Sequence, residues 1–149
     1  MRRIGFLAAV IGVGITFSRP PRLGGESQVR AEARTVWDGV YTDSQAVRGD
    51  TLYKAQCGKC HSPNLDGGDE GPPLNTAIFL SNWDGHTLDD LTERIRNSMP
   101  PENPNSIPRN QVVDILAYML AQNHFPSGRT TLADDPSQLK DIKFLQRKP

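Results

Sequence analysis

The stretch Cys57-Gly58-Lys59-Cys60-His61 constrains this chain more than any other. Two cysteines separated by two residues, with a histidine directly after, form the pattern by which a c-type haem is attached. Each sulfur bonds one former vinyl group of the porphyrin, and two intervening residues let both sulfurs meet one ring edge. The histidine then falls over the iron as proximal ligand. A C-x-x-C can also be a redox dithiol, half of a zinc site or a short disulfide. A thioredoxin-like site needs alternating strands and helices, which the sequence lacks. A structural zinc site needs four ligands, but the chain has two cysteines, and His61, His86 and His124 are not spaced as a zinc pair. Haem attachment is the leading reading, and a disulfide or another thiol role is the rival that remains.

The 149 residues suggest one domain. Lys+Arg and Asp+Glu are each 17, so the net charge is zero and nothing argues for nucleic acid or an acidic membrane surface. Hydrophobic residues make up 36%. That is below the usual level of about 45–50% on a set that also counts glycine. A small apolar core is expected, to which a buried macrocycle would add stability by binding only the folded state.

Met1-Arg2-Arg3 followed by the apolar run Ile4 to Phe17 reads as an export signal. The run is shorter than the roughly 20 residues of a membrane span. Ala31-Glu32-Ala33 has the small-x-small form of a cleavage site but lies further from the apolar run than usual. Left uncleaved, the segment would be an N-terminal anchor. Export agrees with haem attachment, which in bacteria is expected outside the cytoplasm. Residues 18 to about 36, with Arg19-Pro20-Pro21-Arg22 and Gly24-Gly25, read as a flexible tether.

Thr42 to Gln56 reads as the first helix, with Thr42 and Gln45 as a capping box and Val47, Leu52, Tyr53 and Ala55 as its apolar positions. Gly49, Tyr53 and Cys57 recur every four residues and so share one face. The helical Gly49 is either a tolerated defect or a place where a second helix comes close. Ser62 to Gly71 is a loop by composition, and its acids do not have the spacing of a calcium-binding EF-hand. Gly71-Pro72-Pro73-Leu74 is stiff and rich in free carbonyls. A haem histidine needs an acceptor for its Nδ1–H, and the Pro72 carbonyl is the candidate. Leu74 could pack on the porphyrin, or it could be an ordinary core leucine behind a rigid turn.

Ile78-Phe79-Leu80 and Trp83 form an apolar patch. Trp83 fits the core, and a haem propionate is a candidate partner for its indole N–H. Thr87 caps a second helix whose Leu88, Leu91 and Ile95 make one buried face, with Asp90 in its first turn. Met99-Pro100-Pro101 ends it. A methionine fixed before two prolines can present its thioether at a defined place, as a soft neutral ligand that favours ferrous iron. Met99 is therefore the candidate sixth ligand, in competition with His86, His124 and Met119. Pro108 to about Gln122 forms the third helix, with Val112, Ile115, Leu116 and Met119 as its stripe, and is the natural partner for Gly49. Asn123 can close that helix, and Pro126 stops its extension. The tail after Ser127 is mostly polar, and Leu139, Ile142, Phe144 and Leu145 could dock it onto the domain.

Together, Gly49-x3-Tyr53-x3-Cys57-x2-Cys60-His61, Gly71-Pro72-x-Leu74, Met99-Pro100 and Asp114-Ile115-Leu116-Ala117-Tyr118 resemble a class I c-type cytochrome domain over about Trp37 to Gly128. The resemblance implies an all-α cytochrome c fold with three main helices around one covalent haem c. It implies that the first and last helices cross near Gly49, Tyr53 and Tyr118. It also implies His61 and Met99 as axial ligands, with the Pro72 carbonyl bonded to His61. On this reading residues 1–33 are a signal peptide or anchor plus tether, 34–128 the cytochrome domain and 129–149 a C-terminal extension. The stretches around Trp83 to Leu88 and Ala121 to Gly128 are similar to single-haem modules associated with quinoprotein alcohol dehydrogenases. That implies a periplasmic carrier between a donor oxidoreductase, such as a quinoprotein dehydrogenase, and an acceptor such as a terminal oxidase. With both axial positions filled, the chain itself needs no catalysis. The rival expectation is a haem enzyme or gas sensor in which Met99 is unbound or displaceable, with His86 or His124 as a distal polar group.

Overall fold

The computed structural model describes residues 34–149. The proposed signal, the Ala31-Glu32-Ala33 site and the tether up to residue 33 lie outside them. The order of elements is β1 (Arg34–Thr35), α1 (Asp43–Gln56), α2 (Gly58–His61), α3 (Ala77–Trp83), α4 (Leu88–Ser98), α5 (Arg109–Gln122), α6 (Pro136–Lys140) and β2 (Ile142–Lys143). The fold is all-α in character, and its one sheet is the two-residue parallel pairing of β1 with β2.

The frame is the crossing of α1 and α5. A Cβ placed on Gly49 would lie 1.8 Å from the Asp114 carbonyl oxygen, so only glycine lets the two backbones come this close. The packed second helix, not a tolerated defect, explains this residue. Beside it the Tyr53 and Tyr118 rings lie 5.2 Å apart, and Arg48 bonds both oxygens of Asp114 at 3.0 and 3.1 Å. α5 buries Val112, Val113, Ile115, Leu116, Ala117, Tyr118, Met119 and Leu120, which makes it the centre of the core.

α1 departs from its expected pattern. Thr42 accepts from the Gln45 N–H at 3.3 Å, but the Gln45 side chain does not reach back to complete a box. It is buried, donating from Nε2 to the Leu132 carbonyl and accepting from the Leu132 N–H at 2.9 and 2.8 Å. Two bonds to a buried peptide outweigh one to a solvent-accessible cap. Val47 and Ala55 are exposed, and the buried face is Gln45, Ala46, Gly49 and Tyr53. α4 does carry a full capping box. Thr87 accepts from the Asp90 N–H at 3.1 Å, and Asp90 accepts from the Thr87 N–H at 2.8 Å. Its Leu88, Leu91 and Ile95 are buried.

The chain around residue 34 is not all tether. Arg34 and Thr35 pair with Ile142 and Lys143, and Val36 is fully buried. At the other end Leu132, Leu139, Ile142 and Phe144 belong to the same core as α5. Among the described residues no helix is long and apolar enough to cross a membrane.

Candidate functional site

The C-x-x-C-H turn is the single-turn helix α2, with Cys57 as its N-cap. Its Cys60 and His61 N–H groups donate to the Cys57 carbonyl at 3.1 and 3.0 Å. Positions i, i+3 and i+4 of a helical turn share a face, so both sulfurs and the imidazole project to one side. Cys57 and Cys60 are free thiols, both half-buried. Burial, with the nearby Cys60, pushes the Cys57 thiol up to about 11. Cys60 is also raised, chiefly by its hydrogen bond to Glu70 at 3.3 Å. Both shifts run opposite to the lowered thiol pKa that a redox dithiol uses.

His61 is buried. Its Nδ1 lies 2.8 Å from the Pro72 carbonyl oxygen. A carbonyl can only accept, so Nδ1 carries the proton and Nε2 keeps the lone pair that binds a metal. Gly71 seals this arrangement. A Cβ there would lie 2.9 Å from Nδ1 and 2.9 Å from the Cys60 carbonyl, so any side chain would move the ring. The His61 carbonyl accepts from the Gly67 N–H at 3.0 Å and from the Tyr53 hydroxyl at 3.4 Å. The Tyr53 phenol, raised chiefly by burial, stays protonated and able to donate.

The loop that brings Pro72 to His61 is pinned at three points. The Leu74 N–H donates to the Leu65 carbonyl at 2.8 Å, and Asn123 Nδ2 donates to the Leu74 carbonyl at 3.0 Å. The Tyr118 hydroxyl donates to the Pro63 carbonyl at 3.0 Å. Sequence reasoning assigned Asn123 to ending α5 and Tyr118 to the crossing with α1, and missed their hold on this loop. The hint lay in their polar atoms, which need partners where α5 is buried. Leu65, fully buried inside a polar loop, left no periodic signal.

Cys57, Cys60, His61, Pro72 and Leu74 thus form one hydrogen-bonded unit. Met99 and Trp83 stand on other segments. Among the described residues no hydrogen bond joins their side chains to that unit. Met99 is the C-cap of α4, its N–H bonded to the Ile95 carbonyl at 2.9 Å. Trp83 ends α3, with His86 edge-on at 5.7 Å. Leu74, Phe79, Leu80, Trp83 and Met99 are half-buried and packed against the core, so several segments contribute to its apolar rim. Of the competing ligands, His86 and His124 are exposed, and Met119 is buried within α5. Among the described residues no group of three or more His, Cys, Asp or Glu could hold a metal ion, the acids of the 62–71 loop included.

This donor set fits a covalently attached haem. Two thiols share one turn with a histidine whose Nδ1 is committed to Pro72, which leaves Nε2 for a metal.

The model of one protein family, Cytochrome C oxidase, cbb3-type, subunit III, matches residues 44–119, which is 76 of the 149 residues. No curated protein matches the chain. Among solved structures, the chain is similar to the sulfane dehydrogenase SoxCD from Paracoccus pantotrophus. That likeness has a TM-score of 0.47 and 17% identity over 88% of this chain and 68% of the other.

Proposed function

The chain belongs to the Cytochrome C oxidase, cbb3-type, subunit III family of c-type cytochrome domains, and from that premise we propose that it is an exported single-haem electron carrier. The observation that carries this reading is the hydrogen bond from His61 to Pro72 at 2.8 Å, which presents Nε2 as a metal ligand on the same turn as the two thiols. A haem held there supplies a one-electron couple between Fe(III) and Fe(II).

Cys57 and Cys60 would hold the macrocycle through two thioethers, and His61 would ligate its iron. Pro72 fixes the imidazole plane and, by accepting from Nδ1, makes Nε2 a stronger donor. Met99 would be the second ligand, a neutral sulfur that would favour ferrous iron and leave no position open to a small molecule. Leu74 would line the crevice, and Trp83 would flank it, with its indole N–H available to a propionate. None of these residues needs to transfer a proton, so the work of the chain is to set the potential and exclude water. The basic start and apolar run of residues 1–17 support export to the periplasm, with cleavage or anchoring as the two forms of the mature chain. The donor is an oxidoreductase such as a quinoprotein dehydrogenase, and the acceptor a redox protein such as a terminal oxidase.

Titration of the reduced holoprotein with carbon monoxide tests the carrier against the open-site enzyme or sensor. A closed carrier is expected to leave its spectrum unchanged. Stoichiometric, avid binding would make the sixth position open or displaceable and reject the carrier.

A further inference from the structure

α3 rests on the core through the half-buried Phe79, Leu80 and Trp83. The C-terminal segment adds a second hold. The Phe144 N–H donates to the His86 carbonyl and its carbonyl accepts from the Gly85 N–H, both at 2.8 Å. Lys143 Nζ reaches the Gly85 carbonyl at 3.3 Å, and the Gln146 N–H donates to Asp84 at 2.8 Å. Four bonds from three successive or near-successive residues thus grip the turn that joins α3 to α4. The Phe144 ring meets Phe79 of α3 edge-on at 6.4 Å.

The opposite edge of the same segment is fastened to the body. The Val36 N–H donates to the Lys143 carbonyl at 3.0 Å, and Trp37 Nε1 donates to the Leu145 carbonyl at 2.9 Å. Phe144 also packs on Phe125 at 5.3 Å, and Phe125 on Trp37 at 4.8 Å. Phe144 is 1% exposed and stands where the two sets of contacts meet.

We infer that residues 143–146 are a clamp, and that Phe144 is a positioning residue that holds α3 on the body of the domain through Phe79 and the 84–86 turn, and with it the Trp83 that flanks the crevice in the proposed function. This rests on the haem reading for what α3 shields, but the grip on α3 stands without it. A clamp that loosens lets water reach the site. A higher local dielectric favours the more highly charged ferric form and lowers the potential.

The test compares Phe144→Ala with Leu139→Ala in the full-length holoprotein. Leu139 is fully buried in α6 and makes no contact with the 84–86 turn through a hydrogen bond or ring, so its loss reports general destabilisation. Amide exchange over residues 77–87 is expected to quicken by about tenfold more in Phe144→Ala than in Leu139→Ala, after scaling to global stability. The potential is expected to fall in Phe144→Ala and to hold in Leu139→Ala. Phe144→Leu, which keeps an apolar side chain, is expected to restore most of both readouts and serves if the alanine variant does not fold. Equal exchange over 77–87 in the Phe144 and Leu139 variants would overturn the clamp. Faster exchange with an unchanged potential would overturn its positioning role. Wild type without covalent haem would reject the functional reading, and the exchange comparison would still decide the clamp.

Discussion

The α1/α5 crossing and the α3 wall are both helical, yet they are held by different means. The crossing is closed by protein on protein. Gly49 admits the backbone of α5, and eight buried side chains of α5 form the centre of the core. The wall sets half-buried α3 side chains on the core, and a segment from the far end of the chain grips the turn that follows them. The first is closed by contacts between long helices. The second depends on a short helix and on residues remote in sequence, the kind of region that opens first.

The strongest way to separate the two regions is to prevent haem attachment with Cys57→Ala and Cys60→Ala together. The apolar burial and axial bonds that an attached macrocycle would make in the folded chain are then lost, at a cost of several kcal/mol. Hydrogen exchange should show residues 62–87 losing protection before α1 and α5. Equal loss in both would erase the distinction.

Gly49→Ala attacks the scaffold instead. The added methyl meets a backbone carbonyl that cannot rotate away, so the helices must separate, at a cost of about 3 kcal/mol in denaturant unfolding. A loss well under about 1 kcal/mol would mean the crossing is softer than its packing implies. Tyr118→Phe cuts one link between scaffold and site, the hydrogen bond to the Pro63 carbonyl. It should cost about 1 kcal/mol and loosen residues 62–67 while sparing the rest of α5 in exchange experiments.

Asp90 gives the smallest effect. Hydrogen bonds from the Thr87 N–H, then the Thr87 hydroxyl, hold its carboxyl below the usual aspartate value. A carboxyl lowered in the folded state stabilises above its unfolded pKa and loses that contribution as pH falls through the folded one. Asp90→Asn should therefore be less stable than wild type near neutral pH, by a few tenths of a kcal/mol given its exposure. The two should converge as pH falls below the lowered pKa of the folded carboxyl. A constant difference across that range would remove the carboxylate from the cap.

Much of the scaffold was legible in sequence because its signals are local. Gly49, Tyr53 and Cys57 mark one helical face, Thr87 and Asp90 a start, and Met99-Pro100 a stop. The Pro72 carbonyl was legible through the chemistry of histidine, which needs a partner for Nδ1. What escaped was non-local. Gln45 fits a capping box by spacing, but its side chain is taken by Leu132, 87 residues away. Val47 looks like a core residue by type, yet 68% of it is exposed, since α5 covers only the Gly49 face. α3 is 7 residues long, below the length at which periodicity separates a helix from an apolar patch. The C-terminal residues read as docking positions, but nothing near Phe144 in sequence names the turn it grips.

The most direct test of a His61/Met99 carrier is the near-infrared absorption of the oxidised holoprotein, wild type beside Met99→Ala. A low-spin wild type with a weak sulfur-to-ferric-iron band, absent from the variant, is the expected result. A high-spin wild type with no such band, unchanged by Met99→Ala, would contradict the closed carrier and leave the sixth position open to a small ligand.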